Sequence, residues 1–150
     1  MITLTDQAFE PGRLLSGFSA GRLETGAVAT FTGLARGEDG QTDILELQAY
    51  PGFTEARIAE HTAAAAARFG LQDVMIVHRV GRVAPGEAIV FVATAAGHRR
   101  AAFEACDFLM DYLKSRAPFW KKEIGPSGER WVEPRPQDHT DIARWETTPK

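Results

Sequence analysis

The segment Ala88-Ile-Val-Phe-Val-Ala-Thr-Ala95 narrows the fold more than any other part of this chain. It is apolar almost throughout and lacks the alternation of a strand with one face in water. It is also far short of the ~18 residues that an apolar helix needs to cross a bilayer. Such a run reads as a strand lying centrally in a sheet. Its neighbours follow from local signals. Asp73-Val-Met-Ile-Val-His-Arg79 reads as another strand, and Val83-Ala-Pro-Gly-Glu87 supplies the turn between them. After Gly97 a helix is predicted over 98–115, with Ala102, Cys106, Leu109 and Leu113 on its core face. Pro118 prevents its extension because the ring would clash with the preceding turn. Segments 119–124 and 129–132 flank Gly125-Pro-Ser-Gly128 and read as a β-hairpin.

The first half carries a short edge strand at 2–4, a proline-initiated helix at 11–18, and strands at 26–33 and 44–50. Residues 34–41 read as an exposed, glycine-bearing loop. Thr54 is the expected N-cap of a helix ending at Phe69, with Gly70 as its stop. Ile58, Thr62, Ala65 and Phe69 recur at helical spacing along it. From Pro134 the composition turns polar, so 134–150 reads as a polar tail with room for a short helix near 141–145. The expected class is α+β: a mixed, mainly antiparallel sheet, two long helices and a C-terminal hairpin, in one domain over 1–150.

Positive charge is distributed unevenly. Only four lysines occur, and three of them, Lys114, Lys121 and Lys122, lie within Met110-Asp-Tyr-Leu-Lys-Ser-Arg-Ala-Pro-Phe-Trp-Lys-Lys-Glu123. Elsewhere the chain uses arginine. A lysine ammonium can lose its proton when desolvated or crowded by other cations, which arginine does not do. Alternation along the strand puts Phe119, Lys121 and Glu123 on one face and Trp120, Lys122 and Ile124 on the other. Trp120 and Ile124 read as core anchors, which makes Lys121 the more available partner for Lys114. The competing reading is a solvated basic hairpin, and spacing alone leaves the two about even.

Two weaker constellations add anion-binding potential. Gly97-His98-Arg99-Arg100 sits at a predicted helix N-terminus, where free N–H groups attract anions, although surface pairing of the arginines with carboxylates is the slightly favoured reading. Arg36 lies in the glycine-bearing loop, which matches no nucleotide-binding fingerprint. The formal net charge of −3 argues against a general nucleic-acid binder. Cys106 is the sole cysteine, on the core stripe, so neither a disulfide nor a Cys-rich metal site is available. His61 and His78 have no ligand-spaced partners, so no metal is expected. Asp138-His139-Thr140-Asp141 reads as solvated tail. No signal peptide or membrane span is evident, and the cytoplasm is the expected location.

Several of these segments together resemble the MoaE family, the catalytic large subunit of molybdopterin synthase. They are Phe31-Thr-Gly-Leu-Ala-Arg36, Tyr50-Pro-Gly-Phe-Thr-Glu55, Val77-His-Arg-Val-Gly81, Pro85-Gly-Glu-Ala-Ile-Val-Phe-Val92, His98-Arg99, Phe103-Glu-Ala105, the lysine segment, and Arg130-Trp-Val-Glu133. The resemblance implies an α/β-hammerhead fold and a cytoplasmic sulfurtransferase of molybdenum cofactor biosynthesis. Its substrate would be cyclic pyranopterin monophosphate, converted to molybdopterin by insertion of two sulfurs as a dithiolene, with no cofactor. The sulfur would come from the Gly-Gly thiocarboxylate of a small ubiquitin-like carrier of the MoaD family. The implied assembly is a homodimer within a heterotetramer, without nucleic acid or membrane.

By motif position, the resemblance makes Lys114 and Lys121 the catalytic pair. It places Leu34, Ala35, Arg36, His98, Arg99, Lys122 and Glu123 with them around the substrate, and Phe31 and Met110 in the pocket. His98 and Arg99 would be offered across the dimer. Lys114 would shuttle protons or briefly accept the carrier's acyl carbon. Leu34 stands where some relatives carry lysine, so its contact would come from the backbone; Lys122 replaces arginine and loses bidentate capacity. A non-catalytic module binding a ubiquitin-like tail or a phosphorylated ligand is the alternative, and the presence of both lysines argues against it.

Overall fold

In the computed structural model, which describes residues 1–37 and 43–146, the chain runs β1 (Ile2–Thr5), α1 (Pro11–Ser19), β2 (Ala27–Leu34), β3 (Ile44–Ala49), α2 (Phe53–Phe69), β4 (Asp73–Arg79), β5 (Gly81–Val83), β6 (Ala88–Ala96), α3 (Arg99–Ser115), β7 (Phe119–Gly125), β8 (Gly128–Val132) and α4 (Pro136–Ala143). The class is α+β, as expected. The sheet, however, is two sheets: β1-β4-β6-β2 and β5-β3-β7-β8. Among the described residues, only β1 and β4 pair in parallel; the remaining ladders are antiparallel. The division begins at Gly81, whose φ of 79° turns the chain out of β4 and into β5 against β3. A side chain with a Cβ adopts that angle only at a cost. Local pattern reading assigned no strand here and began the turn at Val83, the last residue of β5.

The apolar segment becomes β6, an interior strand with every residue buried. Both faces are covered, which is why alternation is missing from its sequence. Val90 and Val92 face α2 and α3 and meet Ile58, Ala65, Cys106 and Leu109. Phe91, Ala93 and Ala95 face Phe18 of α1. Fully burying a side chain such as Leu109 contributes about 1.5–3 kcal/mol. Cys106 belongs to this core; burial, reinforced by Asp107, pushes its thiol up to about 12. It is a packing residue.

Two boundaries move for physical reasons. Gly52, not Thr54, caps α2. Thr54 lies inside the helix, fully buried, where its hydroxyl accepts the Tyr50 N–H at 2.9 Å and donates to the Pro118 carbonyl at 3.0 Å. The polar tail also docks rather than dangling. α4 starts at Pro136, with the Asp138 carboxylate accepting the Arg135 N–H at 2.9 Å. Trp145 packs edge-on against Phe69 and Phe108, at 5.9 and 5.5 Å between ring centres. Residues 38–42, part of the expected loop, and 147–150 lie outside the described residues.

Candidate active site

α3 ends at Ser115 and β7 begins at Phe119, so the break imposed by Pro118 folds the chain back within a few residues. Lys114 and Lys121 flank that break. The β7 register sets Lys121 opposite Leu47 on one side and Val132 on the other. Phe119, Lys121 and Glu123 then line a cavity of about 610 Å³, and Lys114 enters it from the end of α3. The two amines that sequence spacing left undecided therefore converge. Met110 and Leu113 of α3 and Leu45 and Leu47 of β3 form an apolar floor.

The electrostatics follow from this enclosure. Lys114 is exposed in a single chain, yet the walls crowd its ammonium and strip part of its hydration. Desolvation lowers its pKa, and repulsion from Lys121 lowers it further; Asp138 opposes the shift, and Arg135 adds to it. The Glu123 carboxylate is ion-paired with Arg130. Arg36 reaches the cavity from the chain just past β2. Its placement is fixed by Ala35, a buried residue whose N–H donates to the Glu87 carbonyl at 2.8 Å and whose carbonyl accepts the Gly86 N–H at 2.7 Å. Leu34, more than half exposed, lines the rim.

Four expected site residues lie elsewhere in the single chain. His98 caps the N-terminus of α3 and Arg99 opens it, which puts them about 22 Å along the helix from Lys114 at 1.5 Å per residue. Lys122 points to the outer face of β7, where its ammonium lies 3.2 Å from Glu129, 3.6 Å from Glu46 and 4.8 Å above the Trp131 ring. The hydrogen bond to Glu129 raises its pKa, chiefly. Phe31 is exposed on the edge strand β2 and does not line the cavity. Trp120, expected as a core anchor, is 53% exposed on the outer face, hydrogen-bonded to the Tyr50 hydroxyl.

The cavity also contains residues that sequence reasoning passed over. His78 of β4 lines it, buried and stacked on Phe119 at 4.1 Å between ring centres. A polar pair, His78-Arg79, closing the apolar run Val74–Val77 was the available signal. Arg135 and Asp138 form a wall where α4 begins. A proline at the first helical position with an acidic residue two further on marked that start. Among the described residues, no group of three or more His, Cys, Asp or Glu side chains is arranged to hold a metal ion.

Comparison with known proteins converges on one group. A family model described as MoaE protein matches residues 4–116, a span that includes Lys114 and ends before Lys121. A molybdopterin synthase catalytic subunit from Caulobacter vibrioides is 70% identical over 146 residues, covering 97% of each chain. Among solved structures, a molybdopterin biosynthesis MoaE protein from Burkholderia ambifaria superposes with a TM-score of 0.83 at 43% identity, over 99% of each chain. A molybdopterin synthase from Staphylococcus aureus gives 0.78 at 26% identity, over 87% of this chain and 95% of that one.

Proposed function

The chain belongs to the MoaE protein family, and from that premise we infer that it is the catalytic subunit of a molybdopterin synthase, a sulfurtransferase of molybdenum cofactor biosynthesis. It takes sulfur from the C-terminal thiocarboxylate of a small ubiquitin-like carrier subunit and delivers it to cyclic pyranopterin monophosphate, forming the dithiolene. The observation that carries this reading is the meeting of Lys114 and Lys121 with Arg36 in one cavity. Both reactants are anions, and their approach is repulsive unless fixed cations offset it. Arg36 and Lys121 supply that charge. The carrier's tail, entering the cavity, removes more water and lowers the Lys114 pKa further. A free amine at Lys114 suits proton transfer or brief capture of the carrier's acyl carbon, since both need the same lone pair.

Supporting the assembly, His98 and Arg99 are exposed and distant from their own chain's cavity, which is the placement expected of residues offered to a neighbouring subunit. A homodimer with one carrier at each end is therefore part of the proposal, as is a cytoplasmic location; among the described residues no helix is long and apolar enough to cross a membrane. No bound cofactor enters the scheme. The test is turnover with the thiocarboxylated carrier. Lys114→Ala is expected to lower kcat by about 10²–10⁴-fold, the usual weight of a positioned proton-transfer group, while the carrier still binds. A fully active variant ends the assignment. Trapping a covalent Lys114–carrier adduct by mass spectrometry separates acyl capture from proton transfer.

A further inference from the structure

Arg79, at the end of β4, is only 4% exposed, and the scheme above gives this buried charge no task. Its guanidinium faces the start of β6 and the end of β5. Nη2 donates to the Arg82 carbonyl at 2.9 Å, and Nη1 lies 3.4 Å from one Glu87 carboxylate oxygen. Among the described residues its buried Nε has no hydrogen-bond partner. Taking a guanidinium out of water is costly, and a well-packed apolar side chain in such a place is often at least as stable. Stability is therefore a poor account of Arg79. What the pair does hold is the turn over 84–87. The other Glu87 carboxylate oxygen accepts the Ala84 N–H at 2.7 Å, and the Glu87 N–H donates to the Ala84 carbonyl at 3.1 Å. Gly86 completes the turn with a φ of 89°, an angle that favours glycine.

The turn in its place grips the end of β2. Between Gly33 and Leu34 the ladder with β6 slips, so that Gly33 faces Val90 and Leu34 faces Ala88. A bulge of this kind re-aims the side chains beside it. Ala35 packs into an apolar cluster with Leu45, Leu47, Val83 and Ile89, its N–H bonded to the Glu87 carbonyl and its carbonyl to the Gly86 N–H. Leu34 and Arg36, on either side of it, line the cavity. We propose that Arg79 and Glu87 are positioning residues for substrate binding: their side chains lock the 84–87 turn, the turn fixes Ala35, and Ala35 aims Arg36 at the anionic pterin. This rests on the functional reading above, in which Arg36 offsets the charge of the reactants. A guanidinium that grips an anion with two parallel hydrogen bonds needs a fixed approach. A misplacement of about 1 Å can cost a site about 10²-fold.

The test is a double-mutant cycle on KM for the pterin. Arg36→Ala is expected to raise KM by roughly 10- to 100-fold, the weight of a hydrogen bond to a charged group. Glu87→Ala frees the turn but leaves Arg36 present, and is expected to raise KM by about 3- to 10-fold. Glu87→Gln, whose amide oxygen still accepts the Ala84 N–H, is expected to recover much of that. With Arg36 already replaced, Glu87→Ala is expected to add nothing to KM, although it costs the same stability in chemical denaturation in either background. The Ala35 amide is also expected to exchange its hydrogen faster in Glu87→Ala. A KM raised by the same factor in both backgrounds, a folded Glu87→Ala with wild-type KM, or unchanged Ala35 exchange overturns the proposal. Should Glu87→Ala not fold, Arg79→Lys takes its place in the cycle with the same expected and overturning results, because an ammonium lacks the fork that spans Arg82 and Glu87. The functional reading fails separately: Arg36→Ala with wild-type KM overturns it, and accelerated Ala35 exchange then leaves the clamp on the chain standing.

Discussion

At Lys114 two influences on one nitrogen can be separated experimentally. Desolvation by the cavity walls is the larger and repulsion from Lys121 the second. If Lys114 works as the free amine, as proposed above, activity climbs as pH rises through its pKa. Lys121→Met removes a positive neighbour, which makes the ammonium easier to hold. The pKa therefore rises, and the ascending limb of the kcat/KM profile is expected to move to higher pH. Lys121→Arg keeps the charge and is expected to leave the limb in place, even where its bulk lowers the plateau. A limb that stays put in the Met variant shows that Lys121 does not help set the Lys114 pKa. The free-enzyme pKa is what this profile reports, so the measurement addresses the cavity before substrate fills it.

Among the elements, α4 is the one whose contribution is least visible in sequence and most open to test. It is strapped to α3 by charge and ring packing. The Arg144 guanidinium lies 2.7 Å from both the Asp107 and the Asp111 carboxylates, and the Trp145 indole N–H donates to Asp111 at 2.6 Å. Asp111→Ala removes the shared acceptor and is expected to destabilise the fold by about 1–2 kcal/mol, the weight of a largely buried, charge-assisted hydrogen bond less what solvent screens. Chemical denaturation measures it. Because α4 also carries Asp138 to the cavity wall, KM for the pterin is expected to rise in the same variant; a stability loss with unchanged KM means the wall holds without the strap. Most elements were legible because their periods are strong: nine consecutive buried residues make β6, and the α2 and α3 stripes repeat at helical spacing. Two lysines flanking Pro118 were legible for a similar reason, since the break in the helix and the alternation of β7 are both local. The second sheet was not, because β5 exists only through the turn at Gly81 and its pairing with a distant strand. Nor was His78, whose place depends on Phe119, or Asp138, whose polar surroundings resemble a solvated tail until Trp145 finds Phe69 and Phe108.

At the scale of the whole molecule, the distance between the two ends of α3 becomes a statement about assembly. One chain cannot bring His98 and Arg99 to its own Lys114, because a rigid helix of 17 residues separates them. If a second copy completes the site, the defects of two variants are complementary. In a mixed dimer of Lys114→Ala with His98→Ala, one site carries both substitutions and the other carries neither. Random reassortment of equal amounts makes half of the dimers mixed, each with one intact site of two, so activity is expected to recover to about a quarter of wild type. Each variant alone is expected to stay near its own low level. If each chain's His98 acted on its own cavity, every site in the mixture would carry one defect, and mixing would recover nothing. The recovered fraction therefore measures whether the functional unit is one chain or two, and it does so through activity, without depending on how tightly the copies associate once mixed.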